Sequence, residues 1–415
     1  MKKTSQYLLT AIGALMVLST APQAAQAEWS KPQIHEDIDY WADLRYRYEN
    51  VEQDGIVNDA DASTLRARIG ATYTPIEQLS FLAELEATTP FGSEDYNNTN
   101  NGKTSFPVVA DPDSTELNRA QVTFTGIKDT TLIAGRQRVI LDNARFVGNV
   151  GWRQNEQTYD SVVAVNTSLP DTTLIGGYVW NVNRIFGSQS DARKLDVNDT
   201  YLFNGKFTGF DFADITSYGY LWEVEEAPAL SAQSYGLRAV GDYALNETQK
   251  ILYTAEYAHQ FDYANNTTDF SANYYFTELG FKHKSFTIKG GYEQLEGNGS
   301  TATAFQTPLA TLHGHNGWAD KFLTTPGEGL EDISLKVIYK HAVPKNDIMG
   351  DVKFIAVYHD FSAENTGDDY GREIDLSIDA TFFGKMNTKI KYADYNEKGL
   401  FTDTEKFWFQ VGTKF

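Results

Sequence analysis

From Asp37 to the end of the sequence, apolar and polar residues alternate with a period of two along almost the whole chain. That period belongs to half-buried β-strands; an amphipathic helix would repeat its apolar residues roughly every 3.6 positions. Between residues 40 and 48, Tyr40, Ala42, Leu44, Tyr46 and Tyr48 fall on one face, and Trp41, Asp43, Arg45 and Arg47 on the other. Segments 65–69 and 407–415 repeat the pattern. Counting such stretches predicts 18 strands, near residues 37–50, 62–74, 78–90, 115–126, 130–140, 157–168, 172–183, 199–209, 212–224, 232–244, 248–261, 272–284, 285–297, 331–341, 350–361, 370–383, 387–396 and 404–415. No comparable stretch carries a sustained helical period.

The connections sort by parity. Turns after even strands are short, as at Pro75-Ile76-Glu77, Ile127-Lys128-Asp129 and Leu169-Pro170-Asp171, whereas several loops after odd strands are long: 91–114, 141–156, 184–198 and 298–330. A soluble sandwich has no reason to sort its loops in this way. A transmembrane barrel does, with short periplasmic turns and long extracellular loops. In lipid every backbone group must pair internally, so the sheet has to close on itself. Only its outer face is apolar, which suits a mean hydropathy of −0.42. The expected fold class is therefore all-β: a single-chain transmembrane antiparallel β-barrel of 18 strands. Both termini lie on the periplasmic side.

The two ends of the sequence carry their own signals. Lys2 and Lys3, an apolar stretch from Tyr7 to Val17, and Ala25-Gln26-Ala27 predict a signal peptide over residues 1–27 and a barrel over 28–415. The terminal Phe415 shares a face with Thr413, Val411, Phe409 and Phe407. That ending resembles the signal read by the barrel-insertion machinery of Gram-negative bacteria, and the expected location is the cell outer membrane, among lipid and lipopolysaccharide.

Composition and motifs narrow the function. The formal net charge of −21, which becomes −23 without Lys2 and Lys3, argues against a nucleic-acid partner. The absence of cysteine removes disulfide scaffolds and thiolate metal sites. No Gly-x-Ser-x-Gly, His-Glu-x-x-His or Gly-x-Gly-x-x-Gly motif occurs. Gly102-Lys103-Thr104 ends like a phosphate loop, but Asn97 stands where the loop needs glycine. His313 and His315 lack further ligands and read as ordinary loop residues. Acidic clusters such as Asp59, Asp61, Asp368 and Asp369 read as solvated outer loops rather than calcium sites. No catalytic residue, metal or cofactor is expected.

The arginines are the informative asymmetry. Nine of the chain's 13 fall between Arg45 and Arg153. Arg45, Arg47, Arg66 and Arg68 lie on the non-apolar faces of the first two strands. Arg119 alternates with Gln121, Arg136 and Arg138 share a parity, and Arg145 and Arg153 follow. An arginine facing lipid at mid-depth costs about 2–4 kcal/mol, so these nine are predicted to line the lumen. Two readings stay open: a strip attracting anions, or a structural network paired with Asp43, Glu49, Glu84 and Glu86. The segment 298–330 holds Phe305, Leu309, Leu312, Trp318, Phe322 and Leu323, too apolar for a solvated tether. It is predicted to bend into the lumen, with His313, Asn316, Trp318 and Lys321 constricting the pore. Packing on the barrel exterior or against neighbouring loops is the alternative.

Gly135-Arg136-Gln137, the run from Asp142 to Asp160 and the run from Thr307 to Gly329 resemble the alginate-export family of outer-membrane barrels. That resemblance implies an 18-stranded barrel and a passive channel carrying an acidic uronate polysaccharide or its oligomers past arginines and lysines. The departure is that only Arg238 and Arg372 follow Arg193. The alternatives are a general or carboxylate-specific porin and, in another class, an outer-membrane enzyme or adhesin scaffolded on the barrel. The expected state is a monomer.

Overall fold

The computed structural model describes residues 36–344 and 348–415; the expected signal peptide lies outside them. The strands are β1 (Ile38–Gln53), β2 (Ala60–Ile76), β3 (Leu79–Asp95), β4 (Ser114–Ile127), β5 (Thr130–Gln137), β6 (Thr158–Asn166), β7 (Thr172–Asn183), β8 (Lys194–Phe207) and β9 (Asp214–Val224). They continue with β10 (Ala232–Asn246), β11 (Gln249–Asp262), β12 (Ser271–His283), β13 (Phe286–Leu295), β14 (Leu330–His341), β15 (Met349–Ser362), β16 (Asp369–Phe382), β17 (Met386–Glu397) and β18 (Thr404–Lys414). Each pairs antiparallel with its sequence neighbours, and β1 pairs with both β2 and β18, so the sheet closes. All the connections from odd to even strands gather at one end.

Alternation sets the two faces. Leu44, Ile69, Leu85, Val122, Leu279, Ile333 and Leu376 project outward and stay exposed, forming the apolar belt that a bilayer covers. The opposite parity turns Arg45, Arg47, Arg66, Arg68, Glu84 and Glu86 inward, where all are buried. Turn chemistry fits the short connections: Asp129 and Lys284 take the left-handed conformation, with φ of 54° and 51°, that tight hairpins demand. Several boundaries depart from the sequence reading; β3, for one, runs on to Asp95 rather than 90. β5 stops at Gln137 rather than 140, because the chain leaves the wall there to enter the lumen. β8 starts at Lys194 rather than 199: above the lipid Leu195 and Val197 point inward, so the apolar-outward rule inverts.

Candidate functional site

Two long loops fill the lumen. Loop 138–157 leaves β5, loop 296–329 leaves β13, and backbone bonds zip them together: Gly148 N donates to Leu309 O (2.9 Å) and Thr311 N to Ala144 O (2.9 Å). Val150 N donates to the Thr311 hydroxyl at 2.9 Å. Each loop carries an aromatic anchor. Phe146 packs on Tyr218 (5.0 Å between centroids) and on Phe305 (5.9 Å), and Phe322 on Phe361 (4.5 Å). A buried phenylalanine contributes about 1.5–3 kcal/mol, which offsets the entropy of docking the chain. The segment 298–330 thus combines the two courses considered for it: it reaches inward-facing residues of β16 and β17 and packs against the neighbouring loop 138–157.

The arginine band is a network of ion pairs. Arg66 pairs with Asp43, Arg68 with Glu86, and Arg119 with Glu84 (2.7 Å). Arg138 binds Glu156 (2.7 Å from Nε) and Arg145 binds Glu293 (2.7 Å). Arg153 reaches Glu49 (3.0 Å) and Asp320 (3.3 Å), and Arg47 reaches Asp111 (3.5 Å). Arg45 spends its guanidinium on neutral acceptors, Gln154 Oε1 (2.8 Å) and the carbonyls of Gly151 (3.0 Å) and Arg153. One assignment needs correcting. Arg136 pairs in register with Ala120 and Asp160, which places it on the outer face, bonded to Asp160 at 2.8 Å. Arg138 does not share its side, because β5 has ended before it and the chain has turned inward. With eight arginines inward and seven of them matched by carboxylates, this wall positions the loops more than it offers charge.

The two loops meet β17 and β18 at a cluster of aromatic and charged side chains. His313 stacks on Trp152 (4.3 Å between centroids, 4° between planes). Its Nδ1 donates to Asp320 (2.8 Å), and its Nε2 accepts from Lys391 Nζ (2.7 Å). Lys391 Nζ also lies 3.7 Å from the centre of the Trp318 ring, 4.2 Å from Trp152 and 5.2 Å from Trp408. Asn316 bridges Glu293 (2.8 Å) and Asp332 (3.1 Å), and Lys321 sits 5.5 Å over the Tyr395 ring.

This partition separates two cavities, and Trp152 and His313 line both. The cavity on the long-loop side, about 680 Å³, has charged lining from Arg153, Arg184, Lys321, Lys406 and Asp320. The cavity on the short-turn side, about 410 Å³, has Arg45, Lys353, Lys389, Lys391 and Asp379. Each lining thus holds four cations against one carboxylate, and in the larger one Arg153 is also matched by Glu49 (3.0 Å) and shares Asp320 with Lys406 (3.1 Å). Lys353 (3.0 Å) and Lys389 (3.6 Å) share Asp379, and no carboxylate among the described residues lies within ion-pair distance of Arg45 or Lys391. The buried indole N–H groups of Trp152 and Trp408 have no acceptor, which adds donors rather than acceptors.

Burial keeps His313 far below the usual imidazole range and neutral, with Lys391 and Arg153 reinforcing it against Asp320. His315 is likewise lowered by burial, then by Arg145, to about 4. Burial alone would raise the Glu156 carboxyl, but Arg68 and Arg138 hold it at about 2. Burial and the neighbouring Lys406 bring Lys321 down to about 8.

Of the residues predicted to constrict the pore, His313 and Trp318 form the partition, Lys321 faces the larger cavity, and Asn316 is a buried tie to the wall. Sequence reasoning missed Lys353, Lys389, Lys391 and Lys406. The signal was present: Lys389 and Lys391 share a parity on β17, and Lys406 alternates with Trp408 and Gln410.

No family model matches the chain, and no curated protein does. Solved structures do share the fold. Acinetobacter baumannii OccAB4 aligns over 92% of this chain and 99% of its own, with a TM-score of 0.68 at 14% identity. Pseudomonas aeruginosa OccK9 (OpdG) aligns over 91% and 98%, with a TM-score of 0.70 at 12% identity. The outer membrane protein OpdK of Pseudomonas aeruginosa aligns over 91% and 99%, with a TM-score of 0.65 at 11% identity. The resemblance to the alginate-export family thus gives way to a likeness to Occ and Opd barrels. The likeness is one of fold: the closed 18-stranded barrel is shared with these outer-membrane barrels of Gram-negative bacteria.

Proposed function

We propose that the protein is an outer-membrane channel through which small organic anions pass, with its long loops on the cell exterior and its leader removed on export. The observation carrying this reading is the charge of the two cavities, each with four cations against one carboxylate. A lumen field of one sign concentrates counter-ions whatever the total charge, since exposed charges farther than about 10 Å away are screened at 0.1 M salt. The route follows the lysines: Lys321 and Lys406 outside the partition, Lys391 at it, and Lys389 and Lys353 beyond. Carboxylates of single-sugar or single-ring size, monomeric uronates included, match these cavities. A polysaccharide does not, because two docked loops occupy the lumen. Passive passage needs no catalytic group.

Liposomes containing the protein are expected to admit sodium glucuronate or benzoate faster than neutral sugars of similar size. Equal rates for charged and neutral solutes would reject the reading. Lys321 supplies a pH signature. It carries its charge below about 8 and loses it above, so anion preference should decline as pH rises through that value. Lys321→Arg should abolish this decline; a wild-type reversal potential that stays flat from pH 7 to 9 would remove Lys321 from the path.

A further inference from the structure

Lys391 is held by aromatic rings and an imidazole rather than by a carboxylate. It is buried, on the inward face of β17, and no carboxylate among the described residues lies within ion-pair distance. Its ammonium instead faces three indole rings and the lone pair of His313 Nε2. Aromatic faces attract cations within about 6 Å of the ring centre through their quadrupole. Asp320 accepts a hydrogen bond from His313 Nδ1–H, which leaves Nε2 as the acceptor that Lys391 needs. These contacts hold the His313 and Trp152 rings stacked across the line between the two cavities. The ammonium is therefore part of the partition, and its partners are weaker than a carboxylate would be.

We propose that Lys391 is a tethered plug: its ammonium fills an aromatic cage formed by Trp152, Trp318 and Trp408, pins His313 across the lumen, and leaves when a carboxylate enters the adjacent cavity. Two consequences follow, and both rest on the channel reading above. An anion opens its own path by giving Lys391 a carboxylate in direct contact, where Asp375 and Asp320 act on it only from beyond ion-pair distance. The cage, once emptied of its lysine, is a binding site for small organic ammonium ions such as methylammonium.

Planar-bilayer recording tests this with full-length protein whose barrel is shown to be heat-modifiable. Lys391→Ala should conduct several-fold more than wild type in potassium chloride. Added methylammonium should return it toward the wild-type level, and that rescue should vanish when Trp318→Leu is introduced in the same background. Unchanged conductance in folded Lys391→Ala, or conductance indifferent to methylammonium, would overturn the plug. A deletion of Thr307 to Thr325 separates the two levels. If that deletion conducts while Lys391→Ala matches wild type, only the plug fails; if none of the folded proteins conducts, the channel reading fails with it.

Discussion

Deleting Thr307 to Thr325 is expected to raise single-channel conductance several-fold while leaving the barrel folded. The deletion removes His313, Trp318 and Asp320 from the partition, so that the cavities of about 680 and 410 Å³ merge. The wall does not depend on this loop, because the barrel's ladders run without a break around all 18 strands. The carboxylates that the loop now covers, Glu293, Asp332, Glu373 and Asp375, would gain water in its place. Heat-modifiable migration checks the fold, and bilayer recording checks the conductance. A folded deletion variant with wild-type conductance would mean that the loop does not limit the pore.

Arg145→Met should undock the same loop without shortening it. Arg145 is fully buried and binds Glu293 (2.7 Å), Thr307 (3.2 Å) and Asn316 (3.2 Å), so it ties its own loop, 138–157, to β13 and to loop 296–329. Removing one partner of a buried ion pair leaves the other charge uncompensated, at a cost of about 3–5 kcal/mol. That cost falls on loop docking rather than on the barrel. Trypsin should then cleave at Lys321 in the variant and spare it in the wild type. Adding Glu293→Gln should recover much of the protection, since the amide needs no counter-charge. Equal protection in wild type and Arg145→Met would show that the pair does not hold the loop.

How far the sequence could be read follows from what each signal depends on. Strand number and faces were legible because lipid imposes a strict period on every strand; Leu44 against Arg45 already shows it. The rule fails where lipid ends, and there the reading slipped, at the start of β8 and at Arg136. Arg136 has the parity of the apolar positions Leu132 and Ala134, and at the rim an outward arginine has Asp160, Asn181 and Asn183 around it. The inward course of 298–330 was legible from Phe305, Leu309 and Phe322, which have no comfortable place in water. Its partner was not, because 138–157 mixes its anchors Val139, Leu141, Phe146 and Val147 with polar residues whose hydrogen-bond partners lie on distant strands and on the other loop. The charge of the lumen was the hardest part. Counting arginines pointed to the wall that carboxylates neutralise, whereas the cations that face open space are mostly lysines scattered over β15, β17, β18 and the loop. Which charges cancel depends on three-dimensional neighbours such as Asp111 and Glu156, and no sequence period records that.

The reversal potential across a bilayer with a potassium chloride gradient tests the central claim most directly. The protein carries a net charge of −21 over its whole sequence, so a channel governed by total charge would prefer cations. A channel governed by the cations of its two cavities prefers anions, and Lys353→Gln with Lys389→Gln should weaken that preference. A chloride-selective reversal potential in wild type, diminished in the double variant, is the expected result; a potassium-selective one in wild type would contradict the account.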